Sequence, residues 1–233
     1  MGRCSDARDR LLATAAQLVH ERGYTAVSVS DICKEAGLKK GSFYHFFRSK
    51  HALVLATLDR FAEHHAASMK RTLEENGSVR AQLQGMISRL YRGFTMAQRS
   101  FGAPEGCPLG NITQEMAHRD PEIRAKVADI FTDWQHSLVR LLERAKESGE
   151  LHVVEPERAA EAMIAYLQGS ILLTKATNDP EVFLRLAGGM VALAEAEYPL
   201  AEAPACKAPA LESSACDAFE LACCDGQISA EPS

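Results

Sequence analysis

Two short helical stretches folded about a glycine constrain this chain more than any other feature. In SVSDICKEAGLKKGSFYHFFRSK, residues 28–50, the residues Val29, Ile32, Cys33 and Ala36 recur at helical spacing behind Ser28, whose hydroxyl suits the free N–H groups of a first turn. Gly37 supplies the permissive residue that ends this helix. A second helix opens at about Lys39, so Lys39 and Lys40 stand where N–H groups are unpaired and the helix dipole is positive, an arrangement that favours phosphate. Phe43, Phe46 and Phe47 fall about one turn apart and are expected to pack on the preceding helices. Tyr44, on the face of Lys40, and His45, with Gly41 and Arg48, then form a flat, hydrogen-bonding, partly cationic surface suited to base edges and backbone. This is the pattern of a helix-turn-helix. Lys39, Lys40, Ser42 and Lys50 are expected to hold the element on phosphates, with Ser28 capping the first helix and also touching the DNA backbone, Gly41 within the DNA-facing set, and Tyr44 and His45 nearest the bases.

Residues 8–55 resemble the DNA-binding domain of the TetR family of bacterial regulators. The resemblance runs along LLATAAQLVHERGYTAVSVSDICKEAGLKKGSFYHFFRSKHALV and is most diagnostic from Gly41 to Phe47 with Ser49 and Lys50. Lys39 departs from it, since that family often has a small polar residue or proline there. The resemblance implies a ligand-responsive repressor that binds a palindromic double-stranded operator as a homodimer, answers to a small-molecule effector and needs no cofactor.

Charge is divided along the chain as such a protein requires. The net charge of −5 conceals nine Lys and Arg against five Asp and Glu in residues 1–50, or +4, while residues 51–200 carry −4 and residues 201–233 carry −5. Only the N-terminal part has the sign that attracts phosphate. No apolar run reaches the roughly 18 residues of a membrane span, and residues 1–20 lack the apolar core of a signal peptide, so a cytoplasmic location and no membrane partner are expected.

The periodicity is helical nearly throughout, which gives an all-α fold of about nine helices. Residues 1–50 are read as the helix-turn-helix domain, 51–198 as a helical ligand-binding and dimerisation domain, and 199–233 as a disordered, acidic, cysteine-containing tail. Helix one is expected over about Asp6 to Arg22, helix four from Ser49 toward Asn76, helix five from Ser78 to about Ser100, and a loop over Phe101–Gly110 before a sixth helix from Asn111 to His118. Asp120-Pro121 is a start signal, and Ile123, Val127, Ile130, Trp134, Leu138 and Leu141 form the stripe of the helix that follows. Pro156 and Pro180 open the last two. The stretch from Ala162 to Leu173 is apolar almost all round and the helix after Pro180 is rich in small residues near Gly188, so these two helices are expected either to form a four-helix interface with a second copy or to be internal.

Cysteines in a reducing compartment are thiols. Cys33 falls on a core face, and Cys4 lies near the terminus. Cys107 lies in Gly106-Cys107-Pro108-Leu109-Gly110-Asn111, where Pro108 suits a first helical turn and leaves the thiol at a helix entrance, a position that activates thiols. GCPLGNITQEM resembles a branch of the TetR family that answers to electrophilic or α,β-unsaturated molecules, in part of which the matching cysteine is the sensor; a packing role for Cys107 is the alternative. Cys206, Cys216, Cys223 and Cys224 fit no zinc spacing but remain candidates for a soft metal or metalloid. The trigger is therefore a non-covalent ligand, modification of Cys107, or capture by the tail thiols. Cys107 with His118 or His136 gives an enzyme reading no orienting residue, and none is expected.

Overall fold

The computed structural model describes residues 2–74 and 77–198, with side chains from residue 6 onward. These residues form nine helices and no strand: α1 (Gly2–Arg22), α2 (Val29–Glu35), α3 (Lys40–Phe46), α4 (Lys50–Glu74), α5 (Val79–Phe101), α6 (Pro108–Met116), α7 (Pro121–Glu147), α8 (Pro156–Thr177) and α9 (Pro180–Ala194).

Local chemistry sets the boundaries. α1 stops at Gly23, whose φ of +87° a side chain would resist. Ser28 and Asp31 form a reciprocal box at the start of α2: the Ser28 hydroxyl accepts from Asp31 N at 3.1 Å and the Asp31 carboxylate accepts from Ser28 N at 2.9 Å. Ser49 caps α4 by accepting from Ala52 N at 3.0 Å. Asp120 and Asp179 cap α7 and α9 just ahead of the prolines that open them. Two helix starts differ most from expectation. α1 begins four residues before Asp6, and α6 begins at Pro108 rather than Asn111, because proline fits a first turn and Cys107 stands as its N-cap.

Two hydrophobic clusters form, and α4 contributes to both. Leu11, Leu12, Ala15 and Leu18 of α1, Ile32 and Cys33 of α2 and Phe43 of α3 bury together with Leu53. Phe43 is fully buried, and its truncation to Ala would cost about 3–5 kcal/mol. The next residue, Val54, joins Leu58, Leu83, Ile112, Ile123, Trp134, Leu141, Met163 and Phe183 in the larger cluster. A helix crossing two cores places the reading element relative to the body.

α8 and α9 pack on each other with Met163, Ile171, Phe183, Ala187 and Met190 inward, and the Tyr166 hydroxyl donates to Leu186 O at 2.7 Å. The small residues split between the faces. A Cβ at Gly189 would lie 2.5 Å from Tyr166 Cζ, whereas one at Gly188 would meet nothing within 4 Å among the described residues. Outward stand Ala165, Gly169, Leu172, Leu173, Leu184, Gly188 and Ala192. Leu172 is 51% exposed, Leu173 50% and Leu184 46%, an apolar face on two adjoining helices.

Candidate DNA-reading head and ligand cavity

The head presents one polar face. Lys39, Lys40, Gly41 and His45 are exposed, Tyr44 is 58% exposed with its ring edge against Phe43, and Ser42 is half-buried. Among the described residues nothing lies within 4 Å of where a Gly41 side chain would begin, so this stretch of backbone is open to approach. Phe43 and Phe47 anchor the opposite side in the core. Ser28 is exposed and fully engaged in capping, with Asp31 held below the usual carboxylate range by the Ser28 hydroxyl and backbone N–H.

Lys50 has a structural role beyond the phosphate contact expected of it. Its ammonium donates to Tyr24 O and Val27 O, both at 2.8 Å, and lies 4.1 Å from the Tyr24 ring centroid. The α1–α2 turn leaves these carbonyls without helical partners, and the side chain at the start of α4 reaches back to take them. Burial pushes its pKa down. Lys50 therefore pins the turn to α4.

A cavity of about 350 Å³ lies within the body, walled by α4, α5, α6, α7, α8 and α9. Its lining is mostly apolar, including Phe61, Met69, Leu90, Phe94, Leu138, Leu167 and Met190, with Arg89, Gln168, His65, Ser68, Thr72 and Cys107 as polar members and no carboxylate among the described lining residues. Cys107 is 8% exposed, and its sulfur accepts from Gln168 Nε2 at 3.5 Å. Trp134 anchors one wall with the His65 ring stacked on it at 4.3 Å and Phe131 set edge-on at 5.4 Å. Burial, and then the neighbouring His64, push His65 down to about 4, so it is uncharged at neutral pH. A second, larger cleft of about 740 Å³ runs between α1, α4 and α6 past His20, Glu105 and Glu115, and is the more charged of the two.

α6 ties the cavity to the head. Cys107 caps its start, and Glu115 near its end accepts from Tyr24 N at 2.6 Å and Thr25 N at 2.7 Å, the turn that Lys50 also holds. Burial works against a charged Glu115, but the hydrogen bonds from Thr25 and Tyr24 outweigh it and its pKa lies below the ordinary value. A parallel tie links His51 of α4 to the Asp120 carboxylate at 3.0 Å.

Sequence reasoning singled out Cys107 but missed its cavity partners, Trp134, His65 and Gln168, and missed Glu115. Trp134 has a core spacing, and Glu115 meets Tyr24 across 91 residues, so neither carries a local signal. The candidates Cys206, Cys216, Cys223 and Cys224 lie outside the described residues. Among the described residues no three His, Cys, Asp or Glu side chains group as a metal site, and no helix is long and apolar enough to cross a membrane.

Comparison with known proteins bears on this arrangement. Residues 11–57 match the family described as bacterial regulatory proteins, tetR family, and residues 80–190 match the tetracyclin repressor-like C-terminal domain. The chain is 31% identical to the HTH-type transcriptional repressor NemR of Escherichia coli over 181 residues, 76% of this chain and 87% of that protein. It is 32% identical to the transcriptional regulator AcuR of Cereibacter sphaeroides over 182 residues, 75% of this chain and 79% of that one. Among solved structures, the reduced form of E. coli NemR superposes with a TM-score of 0.71 at 25% identity, covering 80% of this chain and 96% of that one. A regulatory protein TetR from Rhodobacter sphaeroides gives 0.72 at 27% identity, covering 80% and 98%.

Proposed function

We propose that this chain, which belongs to the TetR family of bacterial transcriptional regulators, is a homodimeric repressor released from a palindromic operator by a small electrophile that reacts with Cys107. Members of the family are helix-turn-helix DNA-binding proteins that typically dimerise and bind ligands. The observation that carries the proposal is the position of Cys107, in the wall of the body's cavity and at the start of the helix whose other end grips the head. The similarity to the transcriptional repressor NemR, whose reduced form has been solved, is consistent with it.

In this reading Lys39, Lys40 and Ser42 contact phosphates, Gly41 lets the backbone approach, and Tyr44 and His45 reach toward base edges. Ser28 acts by fixing α2. The outward face of α8 and α9 meets its copy, giving two heads for two half-sites about 34 Å apart. The Cys107 sulfur adds to the β-carbon of an unsaturated carbonyl, forming a C–S bond while the alkene electrons move to the α-carbon, which takes up a proton. The adduct fills the cavity beside Gln168 and Trp134 and shifts α6. Release requires only that the modified protein favour the conformation in which the heads do not fit the operator.

The test is release from the protein's own promoter DNA, followed by fluorescence anisotropy. N-ethylmaleimide or a quinone should release the wild type, and Cys107→Ser should bind DNA but resist release. Removing residues 201–233 should change neither result. If Cys107→Ser is released like wild type, the covalent trigger is wrong. Release by arsenite or cadmium that disappears with the tail would move the trigger to Cys206, Cys216, Cys223 and Cys224.

A further inference from the structure

We infer that Gln168 is the positioning residue for the Cys107 sulfur, which its amide N–H holds on the cavity wall, and that Gly110 lacks a side chain so that this amide can reach the sulfur. The inference rests on reading Cys107 as the site of electrophilic attack and names the residue that prepares it.

Two helices meet at the sulfur. Cys107 is the N-cap of α6, yet its side chain makes no capping hydrogen bond to the first turn. Its one side-chain hydrogen bond among the described residues comes from α8, where the half-buried Gln168 donates from Nε2 to Sγ at 3.5 Å, an ordinary reach for a sulfur acceptor.

The other side of the amide rests on Gly110. A Cβ there would lie 2.9 Å from Gln168 Oε1 and 3.5 Å from Cys107 Cβ, so a side chain would push the amide away from the sulfur. Nothing in the backbone calls for glycine at this position. Gly110 stands in the first turn of α6 without a left-handed φ, and glycine is the weakest helix former after proline. The Gln168 amide supplies the reason that the backbone does not.

Chemistry gives the contact a use. The thiolate, not the thiol, attacks electrophiles. A donor aimed at sulfur binds the anion more strongly than the neutral group, and it restricts the cysteine to the rotamer that makes the contact. Such a bond favours thiolate over thiol about tenfold, and about half of that on a logarithmic scale is offset because a more stable thiolate is a weaker nucleophile, which leaves about threefold in rate.

The experiment measures the rate of Cys107 alkylation by iodoacetamide at pH 7 in the full-length protein. The thiolate forms a C–S bond and iodide leaves with the electron pair of the C–I bond. Peptide mass spectrometry separates Cys107 from the rest of the chain's seven cysteines. Gln168→Met keeps the length of the side chain without its donor and should react about threefold slower than wild type. Gln168→Glu sets a carboxylate beside the sulfur and should slow iodoacetate at least about twofold more than iodoacetamide, a difference that looser packing would not produce. Gly110→Ala should also slow the reaction about threefold, but by less than about 1.5-fold in the Gln168→Met background, because both changes break one contact. Alanine strengthens α6, so this variant carries the test if Gln168→Met does not fold. A wild-type rate in Gln168→Met or in Gly110→Ala, equal slowing of the two reagents in Gln168→Glu, or independent effects in the double variant would overturn the inference. Operator release by N-ethylmaleimide is followed on the wild type alongside. Alkylation slowed as expected without any release would sink the trigger reading and leave the positioning role standing, and release with unchanged rates across the variants would do the reverse.

Discussion

Cys107 and Glu115 occupy the two ends of α6 and serve different parts of the chain: the Cys107 sulfur borders the cavity, while the Glu115 carboxylate holds Tyr24 N and Thr25 N in the turn before α2. A nine-residue helix is rigid on this scale, so a displacement at its start reaches the turn. Glu115→Ala should lower stability by about 1–2 kcal/mol in denaturant melts. It should also weaken the operator's response to N-ethylmaleimide more than it weakens operator binding. Because Glu115 has a depressed pKa when folded, its contribution is present above the unfolded carboxylate value of 4.5 and is lost as pH falls through the folded value. The stability difference between variant and wild type should therefore shrink in acid. A variant with full stability and an unaltered response would remove Glu115 from the coupling.

The reading face makes separate forecasts for base and phosphate contacts. Tyr44→Ala should reduce affinity for the operator more than for unrelated duplex, since Tyr44 is exposed beside the buried Phe43 anchor. Lys40→Ala should weaken both alike and lower the slope of log affinity against log salt by about one. Circular dichroism should be unchanged in both. Equal operator affinity in either variant and wild type would strike that residue from the interface.

Lys50 carries a role that its sequence position does not show. Position 50 follows a cationic helix and resembles one more phosphate contact, and its ammonium also holds Tyr24 O and Val27 O. Lys50→Met should therefore destabilise the head by about 1–3 kcal/mol and speed amide exchange around residues 24–28, rather than act only through salt-dependent affinity. Exchange and stability like wild type would leave the phosphate contact as its only role.

Features written in neighbouring residues were legible. Ser28, Asp120-Pro121 and Pro180 declare helix starts by short-range hydrogen bonding and fixed φ, and the spacing of Phe43 and Phe47 declares a buried face. What lay across the chain was not. Glu115 reads as a solvated charge until α6 is laid against the α1–α2 turn, and Trp134 reads as one more core residue until α4 and α8 enclose a cavity beside it. At α6 the sequence offers two starts, Asn111 after a loop and Pro108 in a first turn, and the helix takes the second.

The exposed face of α8 and α9 separates association from folding. Leu172 and Leu184 are exposed, whereas Ile171 is buried and Gly189 abuts Tyr166. Leu172→Glu or Leu184→Glu should yield folded monomers by light scattering at micromolar concentration, with operator affinity reduced at least tenfold because one head then binds alone. Ile171→Glu and Gly189→Glu should instead unfold the body, since one buries a charge and the other displaces the Tyr166 ring. Dimers that survive both leucine substitutions would place the interface elsewhere.

His65 gives the cavity a defined dependence on pH. Burial pushes its pKa from 6.5 to about 4, so between these values the unfolded chain binds a proton that the folded chain refuses. The sign follows: with the unfolded state holding more protons, stability is fully present above 6.5 and declines as pH falls toward 4. His65→Phe keeps a ring against Trp134 and removes the titration, so its stability should stay flatter than that of wild type from pH 6.5 to 4, with the two curves diverging across that window. Parallel curves in urea melts at pH 7, 6, 5 and 4.5 would show that His65 is protonated as readily in the fold as outside it, and that the cavity wall at Trp134 is wetter than its burial indicates.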